Sequence, residues 1–227
     1  MLLLVTEDRR RHRPLLSALL ARGIFVYVSS YETAEFYCES KDVGGVVLDC
    51  IAALTHGEQL CKDLRDLYPA ELPIAALIAE GARPDMLADC LIRVNEGHER
   101  EILTFCHQNC GWSEKPLSLY HLTVGNNPTE NRYMGRQLKL SQQAHTILRC
   151  ICYRAPYVTS TDDLLSLCFP EQTKTADHLA MQIAKINHAA QEIDPRPLVI
   201  NEYGKGYRLR DGIYIGHKTH YMRQTAP

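Results

Sequence analysis

The stretch Leu198–Leu209, LVINEYGKGYRL, decides how the second half of this 227-residue chain is interpreted. It opens with aliphatic and β-branched residues, which favour a strand, and Gly204 and Gly206 supply the backbone freedom of a sharp reversal. The stretch therefore predicts a β-hairpin with Lys205 at its tip and Arg208 just beyond it. Cations placed in this way are suited to holding the backbone of a nucleic acid.

Three predicted helices precede this hairpin. Ser141 is a good N-cap for the first, Ser160 is a good N-cap for the second, and the third begins near residues 173–175 after a break at FPEQT, residues 169–173. The third helix carries a stripe of apolar residues at the spacing of a buried face: Leu179, Ile183, Ile186 and Ala190. The pattern predicts a helix-turn-helix followed by a wing.

The face opposite that stripe is predicted to hold Thr175, His178, Gln182 and Lys185, with Lys174 beside it. Gln182 is suited to pairing with adenine, and His178 and Thr175 to contacting base edges or phosphates. The two lysines are expected to neutralise phosphates. An ordinary solvated face explains this helix alone equally well, but the hairpin downstream favours DNA binding.

The first half alternates apolar runs with helical patterns. Runs that are apolar at nearly every position suit strands buried on both faces of a parallel sheet. Helical patterns lie between them, including a short one at 83–88, and the last is His98–Gln108. The prediction is a doubly wound α/β domain, with Asp49 at the carboxyl edge, where such sheets hold their functional groups. The apolar runs are Leu2–Val5, Phe25–Val28, Val46–Leu48, Ile74–Ile78 and Leu91–Val94.

Charge divides the chain in the same way. Residues 1–119 hold 12 Lys and Arg against 18 Asp and Glu, whereas residues 120–227 hold 13 against 9. An acidic first part and a basic second part fit a regulatory module joined to a DNA-binding module. We expect a receiver-like domain at 1–108, a linker at 109–118, a winged helix-turn-helix domain at 119–211 and a C-terminal extension at 212–227.

The nine cysteines, with no sign of a secretory segment, indicate reduced thiols in a cytoplasmic protein. Most are expected to be small buried apolar residues. The cluster Cys106–His107–Cys110 leaves a metal or redox sensor open as a minor hypothesis, although it lacks the paired C-x-x-C spacing of a structural zinc site.

The chain resembles response regulators of the OmpR/PhoB type, which join a receiver to a winged helix-turn-helix domain. The resemblance is strongest in the second half, in Leu140–Ser141, Val158–Leu165, Met181–Ile186 and the Gly-x-Gly-Tyr run at Gly204–Tyr207. It implies that the third helix reads DNA and that the hairpin enters or skirts the adjacent minor groove. The chain has fewer cations in this helix than the family usually has, which implies weaker and less salt-sensitive binding.

The first half resembles a receiver through VLD at Val47–Asp49. The resemblance makes Asp49 the candidate phosphoacceptor and implies an acidic pair for Mg²⁺ at either Thr6–Glu7 or Glu7–Asp8. Ile78 stands where the family has its switch hydroxyl, and Arg93 stands where it has a lysine. These residues therefore form a vestigial receiver site, and we expect DNA binding that does not depend on phosphorylation.

The leading interpretation is a sequence-specific transcriptional regulator that is not an enzyme and needs no cofactor, with Mg²⁺ relevant only if the receiver is phosphorylated. Its expected partners are double-stranded DNA, a second copy of the chain and RNA polymerase, with no membrane, and a sensor kinase is left open. The alternatives are a conventional phospho-switched response regulator and a receiver-based interaction adaptor with minor DNA binding. A further hypothesis is a flavodoxin-like enzyme that uses Asp49 and Glu7. The sequence contains no phosphate-binding loop and no nucleophile motif that would support it.

Overall fold

The computed structural model describes residues 1–41, 43–69, 71–95, 98–112, 116–169 and 174–213. The chain forms two compact units, Met1–Glu114 and Lys115–Pro227. The division falls within the predicted linker, 109–118. Most of the predicted C-terminal extension, from residue 214 onward, lies outside the described residues, as do residues 170–173 of the predicted break before the third helix.

A sheet of five parallel strands forms the first unit, in the order β2-β1-β3-β4-β5. This is the flavodoxin-like strand order, so the predicted doubly wound fold is confirmed. Strands β1, β3 and β4 are buried at every position, as their uninterrupted apolar runs predict. The strands are β1 (Leu2–Val5), β2 (Val26–Ser29), β3 (Gly45–Asp49), β4 (Ile74–Ile78) and β5 (Cys90–Arg93).

Four helices accompany this sheet: α1 (Arg13–Ala21), α2 (Ala34–Ser40), α3 (Leu54–Leu67) and α4 (His98–Gln108). Leu16 of α1 and Phe105 of α4 belong to one hydrophobic core with Leu4, Val47 and Leu77 of the strands. Packing against the sheet therefore fixes α1 and the loop before it relative to the carboxyl ends of the strands.

The helix predicted at 83–88 is wrong, because the segment between β4 and β5 is irregular. Pro84 removes one backbone donor, and side chains of α3 bind the segment instead. Arg65 donates to the carbonyl of Leu87 at 2.8 Å, and Glu58 accepts from the amide of Asp85 at 2.9 Å. These bonds satisfy polar groups that a helix would otherwise pair internally.

The second unit begins with a four-stranded antiparallel sheet and continues with three helices and a two-stranded hairpin. Side-chain oxygens of Ser141, Ser160 and Thr175 cap the three helices, as Ser141 and Ser160 were predicted to do. The elements are β6 (Leu117–Leu119), β7 (Leu122–Val124), β8 (Arg132–Tyr133), β9 (Arg136–Gln137), α5 (Gln142–Arg154), α6 (Thr161–Cys168), α7 (Ala176–Gln191), β10 (Val199–Glu202) and β11 (Gly206–Leu209).

The hairpin β10–β11 is tied to the segment between α5 and α6. Thr159 and Tyr207 exchange backbone hydrogen bonds of 2.8 and 2.9 Å. Gly206 has a φ of +134°, and a Cβ at this position would stand 2.1 Å from the carbonyl oxygen of Thr159. Only glycine fits this close approach. The three helices and the attached hairpin form a winged helix, which confirms the predicted fold of the second unit.

Candidate nucleic-acid interface and altered receiver site

The helix α7 presents one buried and one exposed face. Leu179, Ile183 and Ile186 are buried, as the apolar stripe predicts. The exposed face begins at Asp177 and continues along the helix; its members are Asp177, Ala180, Met181, Ala184, Lys185 and His188. Lys185 is therefore the member of the predicted contact set that lies in the middle of this face.

The prediction that Gln182 lies on the exposed face is wrong. Its side chain is only 3% exposed, and its Nε2 donates to Oε1 of Gln143 on α5 at 3.2 Å. Gln182 is directly beside Ile183 in the chain and three residues from Leu179, so it lies at the edge of the buried stripe. The contact with α5 then covers it.

Two further predicted contact residues already have partners within the protein. Thr175 is exposed, and its Oγ1 accepts from the amide of His178 at 3.4 Å as the N-cap of α7. His178 is half-buried, with Nε2 3.3 Å from Oε1 of Gln143 and its ring edge-on to Phe169. Lys174, just before the helix, is exposed.

The wing presents Tyr203 and Lys205 at its tip. Tyr203 is 97% exposed, Lys205 is also exposed, and Gly204 between them has a φ of +72°. The predicted second cation, Arg208, is held by carboxylates: its Nε donates to Glu202 at 2.6 Å and its Nη1 to Asp211 at 2.8 Å. Of the two predicted wing cations, Lys205 is therefore the one that the hairpin presents outward.

A groove of about 630 Å³ runs along the exposed face of α7, between this helix and the segment from Gln137 to Ala144. Its lining combines apolar side chains with the cations Lys139 and Lys185. His188 and one acid, Glu192, also line it. The groove therefore offers apolar contact and positive charge along the same helix.

In the first unit, Asp49 at the end of β3 is the centre of a buried hydrogen-bond cluster. Its Oδ2 accepts from Thr6 Oγ1 at 2.8 Å and from Nε2 of His12 at 2.7 Å, and its Oδ1 accepts from the amide of Ile51 at 3.3 Å. A cationic nitrogen of Arg11 lies 3.8 Å from the same Oδ2. Both carboxylate oxygens are thus engaged within the protein.

These contacts keep the carboxylate of Asp49 ionised. Burial alone raises the pKa of this carboxyl, but the hydrogen bonds from His12 and Thr6 outweigh burial, so that the pKa lies below its ordinary value. A carboxylate only accepts hydrogen bonds, so His12 donates through Nε2. His12 is the N-cap residue of α1, yet its side chain binds Asp49 and makes no cap hydrogen bond.

The predicted vestigial residues lie at the same edge of the sheet, and one of them contacts the cluster: the amide of Asp8 donates to Oγ1 of Thr6 at 3.0 Å. Glu7 is exposed and accepts from the amide of Tyr31 at 3.1 Å, and Asp8 is exposed and accepts from the amide of Arg11 at 3.2 Å. Ile78 is buried at the end of β4, and Arg93 is exposed at the end of β5. The sequence did not single out Thr6 or His12 as partners of Asp49.

The residues around Asp49 do not fit the Mg²⁺ that the resemblance implies. Mg²⁺ needs near-octahedral oxygen ligands, with carboxylates among them. Thr6 presents a hydroxyl hydrogen to Asp49, while Glu7 and Asp8 accept backbone amides elsewhere. The N–H groups of His12 and Arg11 face the Asp49 oxygen, where a cation would be repelled.

Within the described ranges, no three His, Cys, Asp or Glu side chains are grouped so that they could hold a metal ion, which gives no support to a metal at Cys106, His107 and Cys110. None of the helices in the same ranges combines the length and the apolar character that crossing a bilayer requires.

Comparisons with known proteins found no matching family model and no matching curated protein. Solved structures do match. A streptococcal redox sensor, of a family described as evolved from two-component response regulators, has 15% identity over 93% of this chain and 99% of its own, with a TM-score of 0.40. DrrB of Thermotoga maritima, an OmpR/PhoB homologue, has 17% identity over 92% and 97%, with a TM-score of 0.38.

The DNA-binding domain of E. coli CadC has 18% identity over 43% of this chain and 94% of its own, with a TM-score of 0.38. A five-stranded parallel sheet in flavodoxin-like order comes first, and a winged helix follows it. The chain therefore joins a flavodoxin-like α/β unit to a winged helix, the two folds that the sequence predicts.

Proposed function

We propose that this chain is a sequence-specific, DNA-binding transcriptional regulator whose DNA-binding state does not depend on phosphorylation of Asp49. The observation that carries the proposal is that one winged helix exposes both a face of α7 and the tip of the wing. The major groove admits an α-helix, the exposed face of α7 runs from Asp177 to His188, and Lys205 stands at the tip of the hairpin. Lys174 and Lys185 add cations for phosphates.

The environment of Asp49 supports independence from phosphorylation. A phosphoryl group on Asp49 would act as a switch only with a bound metal ion and with new charge-assisted hydrogen bonds that shift a segment from one conformation to another. Asp49 is 5% exposed, its oxygens are occupied by Thr6, His12 and Ile51, and the surrounding residues do not fit Mg²⁺. Ile78, where the switch hydroxyl is expected, has no group that hydrogen-bonds a phosphoryl oxygen.

In this proposal the first unit serves as a platform for dimerisation or ligand sensing and performs no catalysis. The protein acts in the cytoplasm as a homodimer on direct or inverted half-sites about one helical turn apart, without a cofactor. RNA polymerase is the proposed partner for its effect on transcription.

The proposal is tested by selecting bound duplexes from a random DNA library with the full chain. We expect one enriched motif, because a helix face in the major groove and a wing in the minor groove impose a register. Selection with a double variant, Lys185→Ala with Lys205→Ala, is expected to enrich the same motif much less. Absence of any enriched motif with the unaltered chain would contradict sequence-specific binding.

A second candidate function is an interaction adaptor that makes only minor contact with DNA. The composition of the exposed face of α7 favours the adaptor. This face holds one acid, Asp177, and three apolar residues beside Lys185 and His188, so it has few cations for phosphates. Uniform micromolar or weaker binding to every duplex at low salt is the result that this candidate predicts.

A further inference from the structure

Between Asp177 and Ala184, α7 exposes a strip that is largely apolar. Its four outward positions are Asp177, Ala180, Met181 and Ala184, and Met181 is 46% exposed. Three of these four side chains neither donate nor accept a strong hydrogen bond. A helix that reads bases through this strip must therefore use apolar contact at its centre.

The groove beside this strip continues the same chemistry. Met181 and Ala184 form part of one wall, and Leu140 and Ala144 add apolar lining from the other side. The exposed cation Lys185 follows directly after the strip, one position beyond Ala184. An apolar strip with Lys185 at its end and Lys139 on the opposite wall of the groove fits a surface that offers apolar groups beneath a row of phosphates. The major groove of duplex DNA is such a surface.

The side chains that could pair with base edges lie away from the strip. Gln182 is 3% exposed and donates to Gln143, and Oγ1 of Thr175 accepts from the amide of His178. Bidentate recognition of adenine by Gln182 is therefore unavailable in this conformation. Among the features of base pairs in the major groove, the C5-methyl group of thymine is the apolar one.

We propose that Met181 and Ala184 read thymine by contact with its C5-methyl group, at one or two adjacent base pairs of the bound site. The inference rests on the proposed function, because it requires that α7 enters the major groove. Burying one methyl-sized group in such a contact corresponds to about a fourfold change in affinity. Sequence preference at the centre of the site then comes from shape and apolar contact.

Replacement of thymine by deoxyuridine tests the proposal. This change removes only the methyl group and leaves base pairing and the hydrogen-bonding pattern intact. Each thymine of the enriched motif is replaced in turn, and affinity is measured with the full chain by fluorescence anisotropy. We expect a loss of about fourfold at one or two positions. In Met181→Ala, the same replacement is expected to cost less than about twofold at the position that Met181 contacts.

Met134→Ala is the matched control. Met134 is also an exposed methionine of the second unit, at 45%, but it lies in the turn between β8 and β9. This variant is expected to keep the full penalty for deoxyuridine. Both variants are expected to fold, because both side chains are exposed. Circular dichroism checks this.

The outcomes separate this inference from the function on which it rests. If the unaltered chain binds its motif specifically but no deoxyuridine replacement lowers affinity, the thymine contact is overturned and the proposed function stands. A penalty that persists unchanged in Met181→Ala overturns the assignment to Met181. If the chain binds no sequence in preference to others, the proposed function fails, and this inference fails with it.

Discussion

Nε2 of His12 lies 2.7 Å from Oδ2 of Asp49, and both side chains are almost completely buried. The ring approaches the carboxylate from the loop before α1, on the side where Arg11 also lies. The carboxyl group at the end of β3 is thus a hydrogen-bonded part of the folded core. The hydrogen bond gives the aspartate of the first unit a structural role, in surroundings that do not fit Mg²⁺.

We predict that His12→Ala destabilises the first unit by about 3 kcal/mol at neutral pH. The substitution leaves a buried carboxylate without its closest donor, and loss of a hydrogen bond to a buried charged group has a cost of this size. Trp112 is the single tryptophan of the chain and packs against the core of this unit, so its fluorescence during urea unfolding reports the change.

Two variants serve as controls for this prediction. His12→Gln keeps an N–H donor and should restore part of the stability. Lys62→Ala changes an exposed residue of α3 and should alter stability by less than about 0.5 kcal/mol. A loss in His12→Ala no larger than in Lys62→Ala would show that the bond to Asp49 is not stabilising.

The depressed pKa of Asp49 predicts how its contribution depends on pH. In the unfolded chain the carboxyl group has its ordinary pKa of about 3.9, so on acidification the unfolded state takes up the proton first. The stabilisation that ionised Asp49 contributes is complete at pH values above the unfolded-state pKa. It is lost as the pH falls through the lower pKa of the folded state.

The test compares the unaltered chain with Asp49→Asn between pH 5 and pH 2.5, using unfolding detected by Trp112. We expect the stability difference between the two proteins to be largest at pH 5 and to shrink as the pH falls. A difference that stays constant over this range would mean that the carboxyl group has the same pKa in both states.

Treatment with beryllofluoride and Mg²⁺ should change neither the oligomeric state nor the affinity for the enriched DNA motif. The reason is that the oxygens of Asp49 are already bound and that its neighbours repel a divalent cation. Light scattering and anisotropy titrations provide the two readouts. A shift in either one that disappears in Asp49→Ala would establish a conventional phospho-switch.

Gln182→Ala should lower the stability of the second unit by about 1 kcal/mol and leave base preference unchanged. The substitution removes a buried hydrogen bond to Gln143 and no side chain from the exposed strip. Thermal unfolding and selection from a random library measure the two properties. Gln191→Ala, at the exposed end of α7, is the matched control. Relaxed preference at one base pair with unchanged stability would restore Gln182 as a base-reading residue.

Much of the fold follows from the sequence because it depends on local periodicity. Uninterrupted apolar runs predicted the parallel strands, and Ile74–Ile78 was placed without error. Serine caps and the i, i+4, i+7 stripe located the helices of the second unit, and the glycines of the wing located its turn. These signals lie within a few residues of the structures that they specify.

The site depended on contacts that sequence periodicity does not encode. His12 stands in a run of arginines, which predicts a solvated segment, and only the folded sheet brings it to Asp49, 37 positions away in sequence. Gln182 was misplaced because an apolar stripe gives the direction of the buried face but not its width. The width is set by α5, whose Gln143 covers the edge of the stripe.

Sequence-specific regulation by this chain requires that α7 and the wing bind one duplex together. The direct measurement is the affinity of the full chain for its enriched motif and for a scrambled duplex, as a function of salt. We predict a Kd below about 10⁻⁷ M for the motif and at least about 10³-fold weaker binding to the scrambled duplex. The salt slope should fall by about two in Lys185→Ala with Lys205→Ala and not in Lys62→Ala. Equal affinity for both duplexes, or an unchanged salt slope in the double variant, would contradict it.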